Sequence, residues 1–187
     1  MPLPVPDVER ELTHTRRIRY EGYKRADGLW DIEAHLNDVK NHDYRLKTGV
    51  RRAGQAIHDM WVRITIDRRF NVVAASCSSD AVPYPGGCEA IAPHYGRLVG
   101  LNLMKGFRKN VHELFGGVRG CTHVTEMLGG VPTAAIQTFA GEMPEEAENG
   151  PKPFQLDQCH ALETTTETVR QWYPRWYRKQ DKEKSSA

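Results

Sequence analysis

A thiol and an imidazole stand two residues apart at Cys121 and His123, directly after a glycine. Thr122 is a suitable N-cap residue, so the pattern predicts Cys121 at the beginning of a helix and His123 in its first turn. Free amide groups and the helix dipole at that end lower the pKa of a thiol. Glu126 follows His123 by three residues, on the same predicted helical face, where it could orient the imidazole. This stretch indicates a site with thiolate, acid–base or metal-binding chemistry.

Two other stretches carry residues of the same chemical kind. Cys88 precedes apolar residues at helical spacing, so it is also predicted near a helix N-terminus, and His58 and Asp59 open a predicted strand. Packing such helices across a sheet can bring these element ends together at one edge. A metal site needs donors of this kind, whereas a free cysteine is often simply a small buried apolar residue. We expect catalytic residues among Cys121, His123, Glu126 and His58, and metal ligands among Asp59, Cys88, Cys121 and His123.

Composition argues against several classes of protein. The 187 residues can form one domain with appendages, and 26 basic against 24 acidic residues give a net charge of only +2, so we expect no nucleic-acid partner. No apolar run is long enough to span a bilayer, and residues 1–7 lack the pattern of a signal peptide. Four cysteines without an export signal are typical of reduced thiols. We therefore expect a cytoplasmic protein without a membrane partner.

Hydrophobic periodicity predicts an α+β fold. Alternating apolar residues indicate an antiparallel meander of about four strands, at residues 18–23, 30–36, 60–67 and 70–76. Helical spacing follows at 91–99, 107–115 and from Cys121 onward, with a kink or split expected at 129–132. The sheet should pack against these C-terminal helices.

Proline and charge patterns divide the chain into four segments. Residues 1–15 are expected to form a flexible arm, 16–141 the α+β domain and 142–151 a linker. Residues 152–187 are predicted to pack on the domain as a C-terminal extension with a disordered end.

Two polar features of the domain leave alternatives open. Asp31 and Glu33 on the second strand either do acid–base work or belong to the solvated face of the sheet. Residues 41–57 are predicted to form a basic loop that either meets an anion or is simply solvated; its cations include Lys47, Arg51 and Arg52.

Several motifs in a fixed order carry a family resemblance. They are DGLWDIE at 27–33, IHDMW at 57–61, GCTH at 120–123, and KPFQLD followed by CHAL at 152–162. On these motifs the chain resembles the bacterial family of proteins of unknown function DUF2889, from about residue 16 to residue 177. That family has no general assigned activity, so this resemblance implies no particular reaction.

A more distant resemblance covers residues 59–139, which are similar to the scaffold proteins on which iron–sulfur clusters are assembled. Those proteins have an antiparallel sheet followed by helices, and Asp59, Cys88 and Cys121 with His123 stand where they place an aspartate, a cysteine and a histidine–cysteine pair. The first scaffold cysteine is replaced here by His58, and the later pair is reversed and interrupted. The resemblance therefore implies a similar fold and a metal pocket more than cluster assembly.

Three functional hypotheses follow. The first is an enzyme, a lyase or hydrolase acting on a small organic molecule, with zinc or iron as candidate cofactors. An aromatic substrate is one version of it, because Trp30, Trp61 and Tyr84 are expected near the pocket. The second is a non-enzymatic metal or iron–sulfur binding module. The third is an interaction domain whose cysteines are structural. The sequence predicts no oligomeric state.

Overall fold

The computed structural model describes residues 3–140 and 150–179. The chain divides into two compact units, Met1–Ala140 and Gly141–Ala187, and each is described by itself below. The predicted linker at 142–151 and the end of the chain lie largely outside the described residues. Within the described residues, no helix is sufficiently long and apolar to cross a lipid bilayer.

The first unit is built on a four-stranded antiparallel sheet with the strand order β1-β2-β5-β6. A separate two-stranded hairpin, β3-β4, is inserted between β2 and β5. The strands are β1 (His14–Lys24), β2 (Trp30–Lys40), β3 (Tyr44–Leu46), β4 (Gly49–Arg51), β5 (Ala56–Ile66) and β6 (Val72–Ala81). The predicted meander is confirmed, while the predicted basic loop at 41–57 is wrong in part because it contains this hairpin.

Side-chain alternation gives the sheet one apolar and one polar face. On β2 the apolar face consists of Trp30, Ile32, Ala34 and Leu36, all at most 4% exposed. The residues between them, including Asp31 and Glu33, are partly exposed and bond to neighbouring strands, such as Glu33 to Arg63. Within the described part of the first unit, this is the pattern of the solvated face of an antiparallel sheet whose other face is buried.

Helices from the second half of the unit cover the apolar face. A 3-10 helical segment, Glu89–Leu98, packs against β6, and two α-helices follow, α1 (Phe107–Phe115) and α2 (Thr122–Phe139). The face that α2 buries against β1 and β2 consists of Val124, Met127, Leu128, Val131, Pro132, Ala135 and Phe139. The predicted α+β class, with a sheet packed on later helices, is confirmed.

Of the kink or split expected at 129–132, the split is wrong, since α2 is continuous through Pro132. A proline removes one backbone donor from a helix and clashes with the preceding turn. In that preceding turn, the carbonyl oxygen of Met127 accepts a hydrogen bond from the hydroxyl of Tyr20 at 2.8 Å. Gly130 allows this contact, because a Cβ there would lie 2.3 Å from the same hydroxyl oxygen.

The second unit contains one short α-helix, α3 (Glu167–Trp172), between two 3-10 turns in its described part. Thr166 caps α3 by accepting a hydrogen bond from the amide of Val169. Asp157, which has a positive φ of 62°, accepts hydrogen bonds from the backbone amide and the hydroxyl of Thr164. Cys159 is exposed. The packing of this unit on the first stays a prediction.

Candidate functional site

A buried carboxylate lies at the centre of the candidate site. Asp38 continues the apolar face of β2 two residues beyond Leu36, and it is only 2% exposed. A carboxylate on such a face requires hydrogen-bonding partners, because burying an unpaired charge is costly. The local register shifts immediately after Asp38, so the end of the strand departs from the regular ladder.

Both carboxylate oxygens of Asp38 are occupied by donors. Arg16 donates from Nε to Oδ1 at 2.9 Å and from its terminal nitrogen to Oδ2 at 2.8 Å. His14 lies 2.9 Å from Oδ1 through Nε2, and His58 lies 2.9 Å from Oδ2 through Nδ1. Burial raises the pKa of Asp38, but the bonds from Arg16 and the two imidazoles outweigh burial and lower the pKa to about 2. Asp38 is therefore a carboxylate at every physiological pH.

The geometry fixes the proton arrangement of His58. Asp38 and His58 are direct cross-strand partners in the β2–β5 register. An ionised carboxylate only accepts hydrogen bonds, so Nδ1 of His58 carries the proton and Nε2 is left with a lone pair. Burial, with smaller contributions from Arg16 and His14, lowers the pKa of His58 below its ordinary value, although Asp38 raises it. His58 is thus a neutral imidazole suited to accept a proton.

A second imidazole and a thiol adjoin His58 at the beginning of α2. The rings of His58 and His123 have their centroids 3.8 Å apart, and Nδ1 of His123 lies 3.8 Å from Sγ of Cys121. Burial raises the pKa of Cys121, but hydrogen bonds from His123 and from the amides of Val124 and His123 outweigh it and lower the pKa overall. The helix start therefore makes Cys121 more acidic than an ordinary thiol, as its position at the N-cap predicts.

The backbone of Cys121 is held by a buried tyrosine. The hydroxyl of Tyr95, which is fully buried, accepts from the amide of Cys121 at 2.9 Å and lies 3.3 Å from its carbonyl oxygen. Tyr95 in turn stacks on Phe115 with ring centroids 4.4 Å apart. The start of α2 is thus positioned by the 3-10 segment and α1.

Glu126 bonds to Arg16 and not to His123, the residue that it was expected to orient. Its carboxylate accepts a hydrogen bond from Arg16 at 2.6 Å, so it orients Arg16, which in turn holds Asp38. The expectation that Glu126 orients His123 is replaced by this arrangement. A continuous chain of polar contacts therefore runs from Glu126 through Arg16 and Asp38 to His58.

Asp59 and Cys88 lie apart from this chain of contacts. Asp59 follows His58 on β5 and so faces the polar side of the sheet, where it bonds to His35 at 2.6 Å and to Asn37 at 2.9 Å. Cys88 precedes the 3-10 segment and packs, partly buried, against the hydrophobic core. Of the four metal ligands expected from the sequence, the structure brings Cys121 and His123 together.

A different set of side chains has the spacing of a metal site. Ligand atoms of Asp38, His58 and His123 all lie within 4.8 Å of one another. The donor set partly fits a divalent ion, since two imidazoles and a carboxylate are common zinc and iron ligands. Asp38, however, already binds Arg16 through both oxygens. In such an arrangement the imidazoles would hold the ion and Asp38 would orient His58.

A cavity of about 340 Å³ opens beside Asp38 and His58. Its polar wall includes His14, Arg16 and Lys40 in addition to these two residues. Tyr84 lines it as well, whereas Trp61 lies on the polar side of the sheet and Trp30 packs on Phe139 in the core; the lining thus contains one of the three aromatic residues expected there.

Sequence patterns contain a signal for the residues that were missed. Trp30, Ile32, Ala34 and Leu36 occupy every second position of the strand, and Asp38 is the next residue in this series. A charged residue at an inward-facing position of a strand requires a partner, and this marks it as a site candidate. Arg16 and His14 become recognisable only through the register of β1 on β2.

The sequence of the chain matches a known protein family. The family described as "Protein of unknown function (DUF2889)" matches residues 14–137. The chain belongs to this family. No curated protein and no solved structure matches it significantly, so the resemblance to iron–sulfur scaffold proteins gains no support.

The DUF2889 match begins at the first residue of β1 and ends inside α2. It therefore includes every residue of the chain of contacts from Glu126 to His58, and also Cys121 and His123. The second unit, with Cys159, lies outside the matched residues.

Thiol reactivity provides a first test of the electrostatics. Alkylation with iodoacetamide at about pH 7.5 should modify Cys121 faster than Cys77, because thiolate is the reacting form. Burial and the nearby Cys121 raise the pKa of Cys77 to about 12, whereas that of Cys121 is lowered. Peptide mass spectrometry reads the two rates separately. Faster labelling of Cys77 would contradict the assignment, and His123→Phe should slow the labelling of Cys121 only.

Proposed function

We propose that this protein is an enzyme, a hydrolase or lyase for a small organic molecule. In this proposal His58 moves a proton and Cys121 with His123 supplies a thiolate. The observation that carries it is the bond between Asp38 and His58, which leaves a neutral imidazole with a free Nε2 beside a cavity. A buried aspartate that orients a histidine in this way is a recurring arrangement for general acid–base catalysis.

For a hydrolase the steps are as follows. The Cys121 thiolate attacks a carbonyl carbon and forms a thioester as the carbon–oxygen bond of an ester breaks. The departing alkoxide takes from His123 the proton that this imidazole received from the Cys121 thiol. Water then attacks the thioester while His58 accepts its proton, and His58 passes that proton to the departing sulfur, which releases the acid and the free thiol. For a lyase, His58 would remove a proton from the substrate in the bond-breaking step.

A second candidate is a divalent metal site, favoured by the spacing of Asp38, His58 and His123. Zinc or iron at these residues would supply a Lewis acid or an activated water. A metal ion at these residues would also be consistent with the non-enzymatic alternative, a metal-binding module. Elemental analysis of protein purified without added metal decides between this candidate and the metal-independent enzyme. The aromatic nature of the substrate stays a prediction.

The proposal is tested with an activated ester, p-nitrophenyl acetate. The protein should release a burst of nitrophenolate equivalent to one acyl group per chain, and mass spectrometry should place the acetyl group on Cys121. Cys121→Ser should abolish the burst. Cys159→Ser is the matched control, because Cys159 is exposed and lies in the other unit. An unchanged burst in Cys121→Ser would exclude the thiolate mechanism.

A further inference from the structure

The cavity beside His58 has a charge pattern that bears on what it binds. Its one carboxylate, Asp38, is paired with Arg16, which also donates a hydrogen bond to Glu126. Lys40 also lines the cavity, and its ammonium group has no ion-pair partner among residues 3–140. Lys40 therefore offers the cavity an ammonium group that is not held by a carboxylate of this part of the chain.

The position of Lys40 follows from the sheet. Lys40 is the last residue of β2, two residues after Asp38, and it pairs with His14 of β1. Its ammonium nitrogen lies 5.5 Å from the ring centroid of Tyr44 on β3. The β3–β4 hairpin thus gives the ammonium group an aromatic wall on one side without neutralising it.

The rest of the lining is mostly apolar. It comes from β3, β5 and the segment after β6, and consists of Tyr44, Leu46, Ile57, Pro83 and Tyr84. Ligand pockets combine an apolar wall with a few placed polar groups, and their volumes begin at about 300 Å³. A volume of about 340 Å³ fits a small molecule only.

We propose that the cavity binds small organic acids, with the carboxylate of the ligand on Lys40 and its apolar body against Leu46, Ile57 and Pro83. One part of this inference rests on the proposed function. If the protein is the proposed enzyme, the bound acid is its substrate, and the reacting carbon lies towards His58. The cations expected from the sequence have other positions: Arg52 pairs with Asp43, and Arg51 donates to the carbonyl oxygen of Val82.

Binding of benzoate, measured by isothermal titration calorimetry, tests the proposal. Benzamide has the same shape without the charge, and it should bind the unchanged protein at least about tenfold more weakly, the difference expected of one charge-assisted contact. Equal affinities for benzoate and benzamide would overturn the proposal without any variant. Inorganic phosphate binding as tightly as benzoate would overturn the organic part of it.

Substitution locates the contact. Lys40→Met keeps the length of the side chain, and should weaken benzoate about tenfold while leaving benzamide unchanged. Lys105→Met is the matched control, since Lys105 is exposed and does not line the cavity, and it should leave both affinities unchanged. Undiminished benzoate affinity in Lys40→Met would contradict the assignment. The calorimetric experiment measures binding and no turnover, so its result is independent of the acylation of Cys121. Either proposal can therefore be contradicted while the other is supported.

Discussion

Replacing Asp38 by asparagine is expected to lower the free energy of unfolding by about 3 kcal/mol, the cost of removing one partner from a buried charged network. An amide cannot accept the bonds of Arg16, His14 and His58 at once, and Arg16 would lose its main counter-charge. Urea unfolding at neutral pH measures the difference. Asp43→Asn is the control, because Asp43 forms an exposed pair with Arg52 and should change stability by less than about 1 kcal/mol.

The difference in the free energy of unfolding between the unchanged protein and Asp38→Asn should depend on pH, because it arises from the ionised carboxylate of Asp38. The pKa of Asp38 is lowered to about 2 in the folded protein, against about 3.9 in an unfolded chain. Its stabilising contribution is therefore complete above about pH 4 and is lost as the pH falls towards 2. The gap between the unchanged protein and Asp38→Asn should shrink by about 2 kcal/mol over that window. A gap that does not change with pH would instead indicate a packing defect.

The second large effect is expected in catalysis. His58→Asn should slow release of the acetyl group from Cys121 by about 100-fold or more, the usual loss on removing a general base. Formation of the acyl group should be less affected, since His123 is the imidazole next to the thiol. The control is His42→Asn, an exposed histidine. Rates of nitrophenolate release after the burst measure the step, and an unchanged rate would remove His58 from the mechanism.

The rate at which the acetyl group is released from Cys121 should fall at low pH, when His58 becomes protonated. Burial lowers the pKa of His58 below the ordinary value of about 6.5, so the neutral, active form persists into mildly acidic solution. The rate should fall only as the pH drops through this lowered pKa. In Asp38→Asn the protonated form of His58 loses its anionic partner, and the acid limit should move to still lower pH.

Local patterns were sufficient to predict the sheet and the position of Cys121 at the start of a helix. The alternation along β2 and the apolar positions Ile64 and Ile66 are reproduced as buried strands, and Cys121 lies at a helix start. These features depend on a few neighbouring residues, where periodicity is informative.

The partners of these residues depend on pairing across the sheet, which no local pattern contains. The position of Asp59 beside His58 in the sequence suggests a shared metal site, yet neighbours on a strand face opposite sides. The positions of Cys88 and Cys121 before helices suggest that the two thiols meet, but proximity of such ends depends on the packing of Glu89–Leu98, which the sequence does not specify. Arg16 required the register of β1 on β2.

Each face of the paired strands β2 and β5 carries one hydrogen-bonded aspartate and histidine. On one face β2 supplies the aspartate, and on the other face β5 supplies it. Asp38 bonds to His58 towards the helices, and His35 bonds to Asp59 towards the polar side. A slip of β5 by one residue against β2 would turn Asp59 inward and His58 outward, and would break both pairs together. Changes in chain length between Asp38 and His58 should therefore be tolerated in the β3–β4 hairpin but not within the strands. The two aspartate–histidine pairs thus stabilise this alignment of β5 on β2 over alignments shifted by one residue, independent of any role in chemistry.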